Sequence, residues 1–191
     1  MKRLIRCFDA FLRRALGVYE FCAGPDCLLR VRRIALSRPL TLNGETYPAG
    51  TAVIELHLWN EHLPPLPPDG PTLSWAVQTQ RRLKDSFRML ARQMPDDPRL
   101  ADAQLVAGIT VLPLAGAHAG SVKLFEQLGF TILPYRNPLG RFGEFWENLY
   151  TWGIMWAFNA PTLAGRRLLG LRRSEVWMTT GELLRRYGET T

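Results

Sequence analysis

The chain is poor in the residues that hold small secreted or metal-bound folds together: it has three cysteines and three histidines in 191 residues. Cys7, Cys22 and Cys27 are odd in number and form no C-x-x-C pair. Neither a disulfide framework nor a structural zinc site is expected, and a reducing compartment is the simplest home. Acids are the minority charge, 17 Asp plus Glu against 24 Lys plus Arg, for a formal net charge of +7. That excess, mostly arginine, favours anionic partners: nucleic acid, phospholipid headgroups or phosphorylated small molecules. Long apolar runs are missing too. The longest uncharged stretch, Leu149–Gly165, is shorter than the roughly 20 residues a span needs, and Asn159 and Pro161 break it, so no transmembrane helix is expected. The basic start of Met1–Tyr19 resembles a signal n-region, but Asp9, Arg13 and Arg14 interrupt the apolar part, so it reads as a mature helix. Internal repeats, low-complexity tracts and interdomain linkers are all lacking.

What is there fits one domain over residues 1–191. An apolar content of 47% and a charged content of 21% are those of an ordinary globular fold with a filled core. Residues 1–20 form a basic amphipathic helix: Leu4, Phe8, Phe11, Leu12, Ala15 and Tyr19 recur at helical spacing. Leu28–Leu36 reads as a strand with alternating arginines. Asn43-Gly44 and Pro48-Ala49-Gly50 read as turns, and Ala52–Trp59 as a strand buried on both faces. Residues 63–72 are a proline-rich internal loop, and Leu73–Met94 is a long helix. A short helix is expected at Arg99–Gln104. A β-α-β pattern follows: strand Gly108–Leu114, helix Ser121–Leu128, strand Phe130–Tyr135. Leu139–Asn159 is an aromatic-rich helix with a break near Gly153, Glu175–Thr179 is a last strand, and Thr179 with Glu182 forms a capping box. The fold class is therefore α/β, with mixed α+β as the variant: a central mixed sheet flanked by helices.

One segment concentrates chemistry. On a strand of period two, Glu55 and His57 share a face, and Asn60, Glu61 and His62 follow where the strand runs out. A carboxylate beside an imidazole on a buried strand is costly unless the two pair or bind something. His57 is the candidate general base, with Glu55 or Glu61 orienting it; Asn60 and His62 are candidate substrate contacts. Arg141, Glu144 and Asn148, on the polar stripe of the aromatic helix, are candidates to line the same pocket. The competing reading is a hydrogen-bonded structural cluster. The spacing matches no zinc signature, so no metal and no cofactor are expected.

The loop Ala115–Gly120 exposes amides at a helix start, where an anion is welcome; His118, Gly120, Ser121 and Lys123 are the candidate anion-binding set, against a plain tight turn capped by Ser121. It lacks the ending of a Walker loop. Lys123–Phe130 resembles the helix–turn–strand near the end of acetyl-coenzyme-A-dependent N-acetyltransferases, but no pyrophosphate-binding segment precedes it. The last arginine-rich stretch, Gly165–Arg173, interleaves leucines with charge and contains no acid. With the N-terminal helix it makes a candidate membrane surface carried by Arg13, Arg14, Arg166, Arg167, Arg172 and Arg173.

Several segments together resemble the YkoP-like domains: the basic strand Leu28–Leu36, the turn before Gly50, the run Glu55–Glu61 and the later Leu128-Gly129-Phe130. These are bacterial domains found alone or near cell-envelope glycan enzymes such as polysaccharide deacetylases. The resemblance implies an envelope-related context and carries no catalytic residue over. The expected partner is an anionic membrane surface or lipid, and the expected place is the cytoplasm, peripheral on the inner face of the plasma membrane. Nucleic acid is not expected, because no helix-turn-helix, RNA-recognition strand pair or zinc finger is present. A transferase or hydrolase using His57, and an interaction module for a partner protein, are the alternatives.

Overall fold

A computed structural model describes residues 2–67, 72–110, 119–137, 139–158, 160–163, 167–168, 171 and 173–188. In chain order the elements are α1 (Lys2–Ala15), β1 (Leu29–Ala35), β2 (Leu40–Leu42), β3 (Glu45–Tyr47) and β4 (Ala52–Leu58). After a 3-10 turn at Asn60–His62 come α2 (Leu73–Gln93), β5 (Leu105–Thr110), α3 (Ala119–Gln127) and β6 (Thr131–Pro134). They end with α4 (Gly140–Phe158), β7 (Ser174–Thr179) and α5 (Thr180–Tyr187). Among the described residues the domain is a five-stranded mixed sheet in the order β1-β4-β5-β7-β6, with five α-helices, as the mixed α/β reading anticipates.

Within the sheet, β4 runs parallel to β5 and every other pairing is antiparallel. The β-α-β pattern is there, but its two strands are not neighbours: β7 inserts between β5 and β6. β2 and β3 form a separate hairpin whose turn needs two positive φ angles, 54° at Asn43 and 87° at Gly44, the pair a type I′ turn selects.

One face of the sheet carries the main core. Leu29, Val31, Ile54, Val106, Val176 and Met178 point into it and meet Phe87 and Leu90 of α2, Leu128 after α3, and Leu183 and Tyr187 of α5. Burial of this apolar surface is the main force holding α2, α3 and α5 in place. Gly129, at φ 96°, ends α3: Phe130 N–H bonds the Phe125 carbonyl and Gly129 N–H that of Glu126, so the Leu-Gly-Phe run is a helix-capping turn. Thr179 caps α5 by accepting from Glu182 N–H.

The opposite face is covered only in part. The β2–β3 hairpin folds across it, packing Leu42 and Tyr47 on Val53, Leu105 and Trp177, and Thr131 of β6 reaches Asn43 at its tip. So β4 is not buried on both faces along its length: burial fades from Ala52–Ile54 to an exposed Leu58.

Several expectations need correction. Cys22 and Cys27 are joined in a disulfide, with Cα atoms 6.5 Å apart; a turn closed by Cys27 N–H on the Gly24 carbonyl brings them within reach. The argument for a reducing compartment loses its ground, and exposed Cys7 is the free thiol. Residues 99–104 make turns rather than a helix. α4 is continuous through Gly153, which lies against Ile5 of α1: a Cβ there would make ordinary contact with Ile5 Cδ1 at 3.7 Å.

Candidate functional site

Above the hairpin, the uncovered face of the sheet forms the floor of a cleft of about 830 Å³. Strand register places its side chains. Arg32 lies opposite Glu55, which lies opposite Ala107, which lies opposite Trp177; Ile109 lies opposite Glu175. One wall is the Ser37–Leu40 segment leading into the hairpin, and the other is Tyr135, Arg136 and Asn137 after β6.

At the cleft's edge, Glu55 Oε2 accepts from Arg32 Nε and lies 2.8 Å from His57 Nε2. Burial pushes the Glu55 carboxyl up, but the bonds from His57 and Arg32 outweigh it and its pKa falls below the usual glutamate value. Glu55 is therefore an ionised, oriented acceptor and His57 a half-buried imidazole with one ring nitrogen held. On the far side of the floor, Glu175 accepts from Trp177 Nε1 at 2.9 Å. Tyr135 donates to Glu147 Oε1 of α4 at 2.6 Å; burial and that carboxylate push its pKa up. Asn137 Oδ1 accepts from Leu139 N–H at the start of α4 and packs where Gly143 leaves no side chain.

The other sequence candidates go elsewhere. Glu61 does not join His57. The turn at Asn60–His62 aims it at Arg30 (3.2 Å) and Arg13 (3.4 Å). Arg30 is buried at 4% exposure, lies over the Trp59 ring and also meets Glu20, so Glu61 belongs to a structural ion-pair network. His62 stacks on Trp59 with ring centroids 3.7 Å apart, and its Nδ1 lies 2.9 Å from the Cys27 carbonyl; Asn60 is half-buried in the same turn. Arg141 and Glu144 are exposed on α4 and line no part of the cleft. Asn148 is buried and accepts from Arg173. Arg173 itself, expected at a membrane surface, is 8% exposed and fastened to Asn148, Thr151 and Glu147, so that expectation is corrected. Of the remaining arginines in that set, Arg14 and Arg167 are exposed, Arg13 is committed to Asp9 and Glu61, and Arg166 and Arg172 lie outside the described residues. His118 also lies outside them; Gly120 and Ser121 sit in the first turn of α3, and Lys123 is exposed on that helix. Among the described residues no cluster of His, Cys, Asp and Glu could hold a metal ion.

The model of the YkoP domain matches residues 6–187. The chain belongs to the YkoP domain family. No curated protein and no solved structure matches it. The match runs from α1 to the end of α5, so this YkoP domain includes the C-terminal aromatic helix as well as the central segments that carry the sequence resemblance. Sequence reading missed the cleft residues of the YkoP domain outside β4: Arg32, Arg38, Tyr135, Arg136, Asn137, Glu175 and Trp177. Period-two alternation does put Glu175 and Trp177 on one face, but nothing local says that β7 lies beside β5.

A second surface stands out. The side of α1 that meets the domain carries Ile5, Asp9 and Leu12, while Leu4, Phe8 and Phe11 point outward, Phe11 at 66% exposure. α4 packs beside it and also turns its apolar side out, with Phe142 at 67% exposure and Phe145, Trp146 and Leu149 exposed too. Phe8 and Tyr150 join the two in an edge contact at 6.4 Å. No described helix is long and apolar enough to cross a membrane.

Proposed function

We propose that this YkoP domain is a peripheral membrane protein, an accessory to envelope glycan or lipid metabolism, that rests the α1–α4 face on an anionic bilayer. The outward apolar stripe of α1, continued by the exposed aromatics of α4, supports the reading. Two neighbouring helices exposing this much apolar surface call for an apolar or interfacial partner. Exposed Arg3 and Arg14 flank the stripe and Arg141 lies on α4, which selects anionic headgroups over a neutral surface at about 1 kcal/mol per arginine.

Co-sedimentation of the full chain with phosphatidylglycerol and with phosphatidylcholine vesicles tests this. Binding is expected to the first at low salt, and Phe11→Glu is expected to weaken it by about tenfold or more, since a buried phenylalanine is worth about 1.5–3 kcal/mol. Failure to bind phosphatidylglycerol at low salt, with a dimer in light scattering, assigns the face to a second copy instead.

A second reading, a transferase or hydrolase with His57 as base, is favoured by the 2.8 Å contact of His57 with an ionised Glu55 beside the cleft. It uses Glu55 alone as the orienting acid.

A further inference from the structure

The cleft on the open sheet face has three kinds of lining, and each restricts what fits. Its floor is apolar where the hairpin stops. Ile109, in the middle strand of the sheet, is 49% exposed there. Trp177 beside it is only 8% exposed, so its ring offers no open face to a nucleobase. An aliphatic floor suits the C–H face of a saturated ring.

Flanking that floor are two carboxylates, Glu55 and Glu175, on strands either side of β5. Each is already oriented, Glu55 by Arg32 and His57 and Glu175 by the Trp177 indole. Carboxylates accept hydrogen bonds only, so their complement is a ligand rich in hydroxyl donors. At the rim the sign reverses. Arg38 stands on one wall and Arg136 on the other; both are exposed, and no described carboxylate pairs with either. Guanidinium groups left unpaired at a cleft mouth match a phosphate. The volume falls in the range of small-molecule sites, roughly 300–1,000 Å³.

We infer that this cleft binds a phosphorylated sugar, its ring laid on Ile109, its hydroxyls donating to Glu55 and Glu175, and its phosphate held by Arg38 and Arg136. No residue of α1 or α4 lines the cleft, so the inference is independent of the membrane reading.

Amide NMR titration of the full chain tests it with four probes: glucose 6-phosphate, N-acetylglucosamine 6-phosphate, glucose and inorganic phosphate. At least one sugar phosphate is expected to give saturable shifts at Glu55, Ile109 and Arg136 at millimolar concentration, with glucose and phosphate each about tenfold weaker. Arg38→Ala and Arg136→Ala, exposed positions whose loss leaves the rest of the spectrum in place, are expected to bring the sugar phosphate down to the level of glucose. Glu55→Gln is expected to weaken glucose and sugar phosphate alike. The inference is overturned if neither sugar phosphate shifts the cleft amides, or if phosphate alone binds as tightly. Equal binding of glucose and glucose 6-phosphate overturns the role of the arginines.

Discussion

Tyr150 of α4 donates its phenolic hydrogen to Asp9 of α1 across 2.7 Å, and Asp9 is 5% exposed. This bond helps set the rotation of α1. Asp9 also takes Arg13, Arg13 takes Glu61, and Glu61 takes Arg30, so a polar chain runs from α4 through α1 into the sheet. With Arg6 donating to the Ala157 carbonyl on the same side, Leu4, Phe8 and Phe11 are turned the other way. Asp9→Ala removes the acceptor of the Tyr150 hydroxyl and leaves Arg13 with Glu61 alone, at a cost of about 1 kcal/mol. The expected outcome is faster proteolysis within α1 and a lower unfolding midpoint, with Tyr150→Phe giving a smaller effect in the same direction.

Cys7 provides a direct readout of the outer face of α1. It is exposed, while Cys22 and Cys27 are bonded to each other. A polarity-sensitive fluorophore on Cys7, one turn from Leu4 and Phe11, is expected to shift to the blue with anionic vesicles and to shift back as salt screens the arginines. An unchanged spectrum in the presence of bound vesicles would place the contact on another face.

The Cys22–Cys27 bridge closes a short loop, at a sequence separation of 5. Loop-closure entropy for so few residues corresponds to about 2 kcal/mol, toward the low end for disulfides. Urea denaturation with and without reductant is expected to differ by about that amount, and Cys22→Ser without reductant is expected to match the reduced protein. Phe21 and Cys27 both sit in the main core next to this loop, so loosening it exposes packed surface as well as freeing chain.

Local features were legible in the sequence where one residue type solves one geometric problem. Asn43-Gly44 marks its turn because both positions need positive φ, and Thr179 marks the start of α5 because its hydroxyl satisfies the Glu182 amide. Glu55 and His57 share a face because strands have period two. What failed was placement by sequence proximity. Glu61 lies four residues from His57, yet one 3-10 turn gives it to Arg30 and Arg13. Arg141 and Glu144 sit on the polar stripe of a helix whose aromatic side faces outward, so helical spacing alone picked out the stripe but not the cleft. The largest loss came from topology. A β-α-β pattern implies adjacent parallel strands, and the insertion of β7 between β5 and β6 is what brings Glu175 and Trp177 to the floor beyond Glu55.

The Glu55 cluster has a pH signature with a definite sign. In the unfolded chain Glu55 titrates near the ordinary glutamate value, about 4.3. In the fold, burial alone would raise that value, but His57 and Arg32 together lower it below the ordinary value. A carboxyl with a depressed folded pKa adds stability that is fully present above its unfolded pKa and is lost as pH falls through its folded one. Glu55→Gln keeps the shape and removes the charge, costing about 1–3 kcal/mol near neutral pH through two charge-assisted bonds. The gap in unfolding free energy between the parent and Glu55→Gln is therefore expected to close as pH falls below about 5, through the folded Glu55 pKa. Chemical denaturation from neutral pH into the acid range measures the gap, and a gap with no pH dependence would mean that the cost of Glu55→Gln does not come from the Glu55 charge.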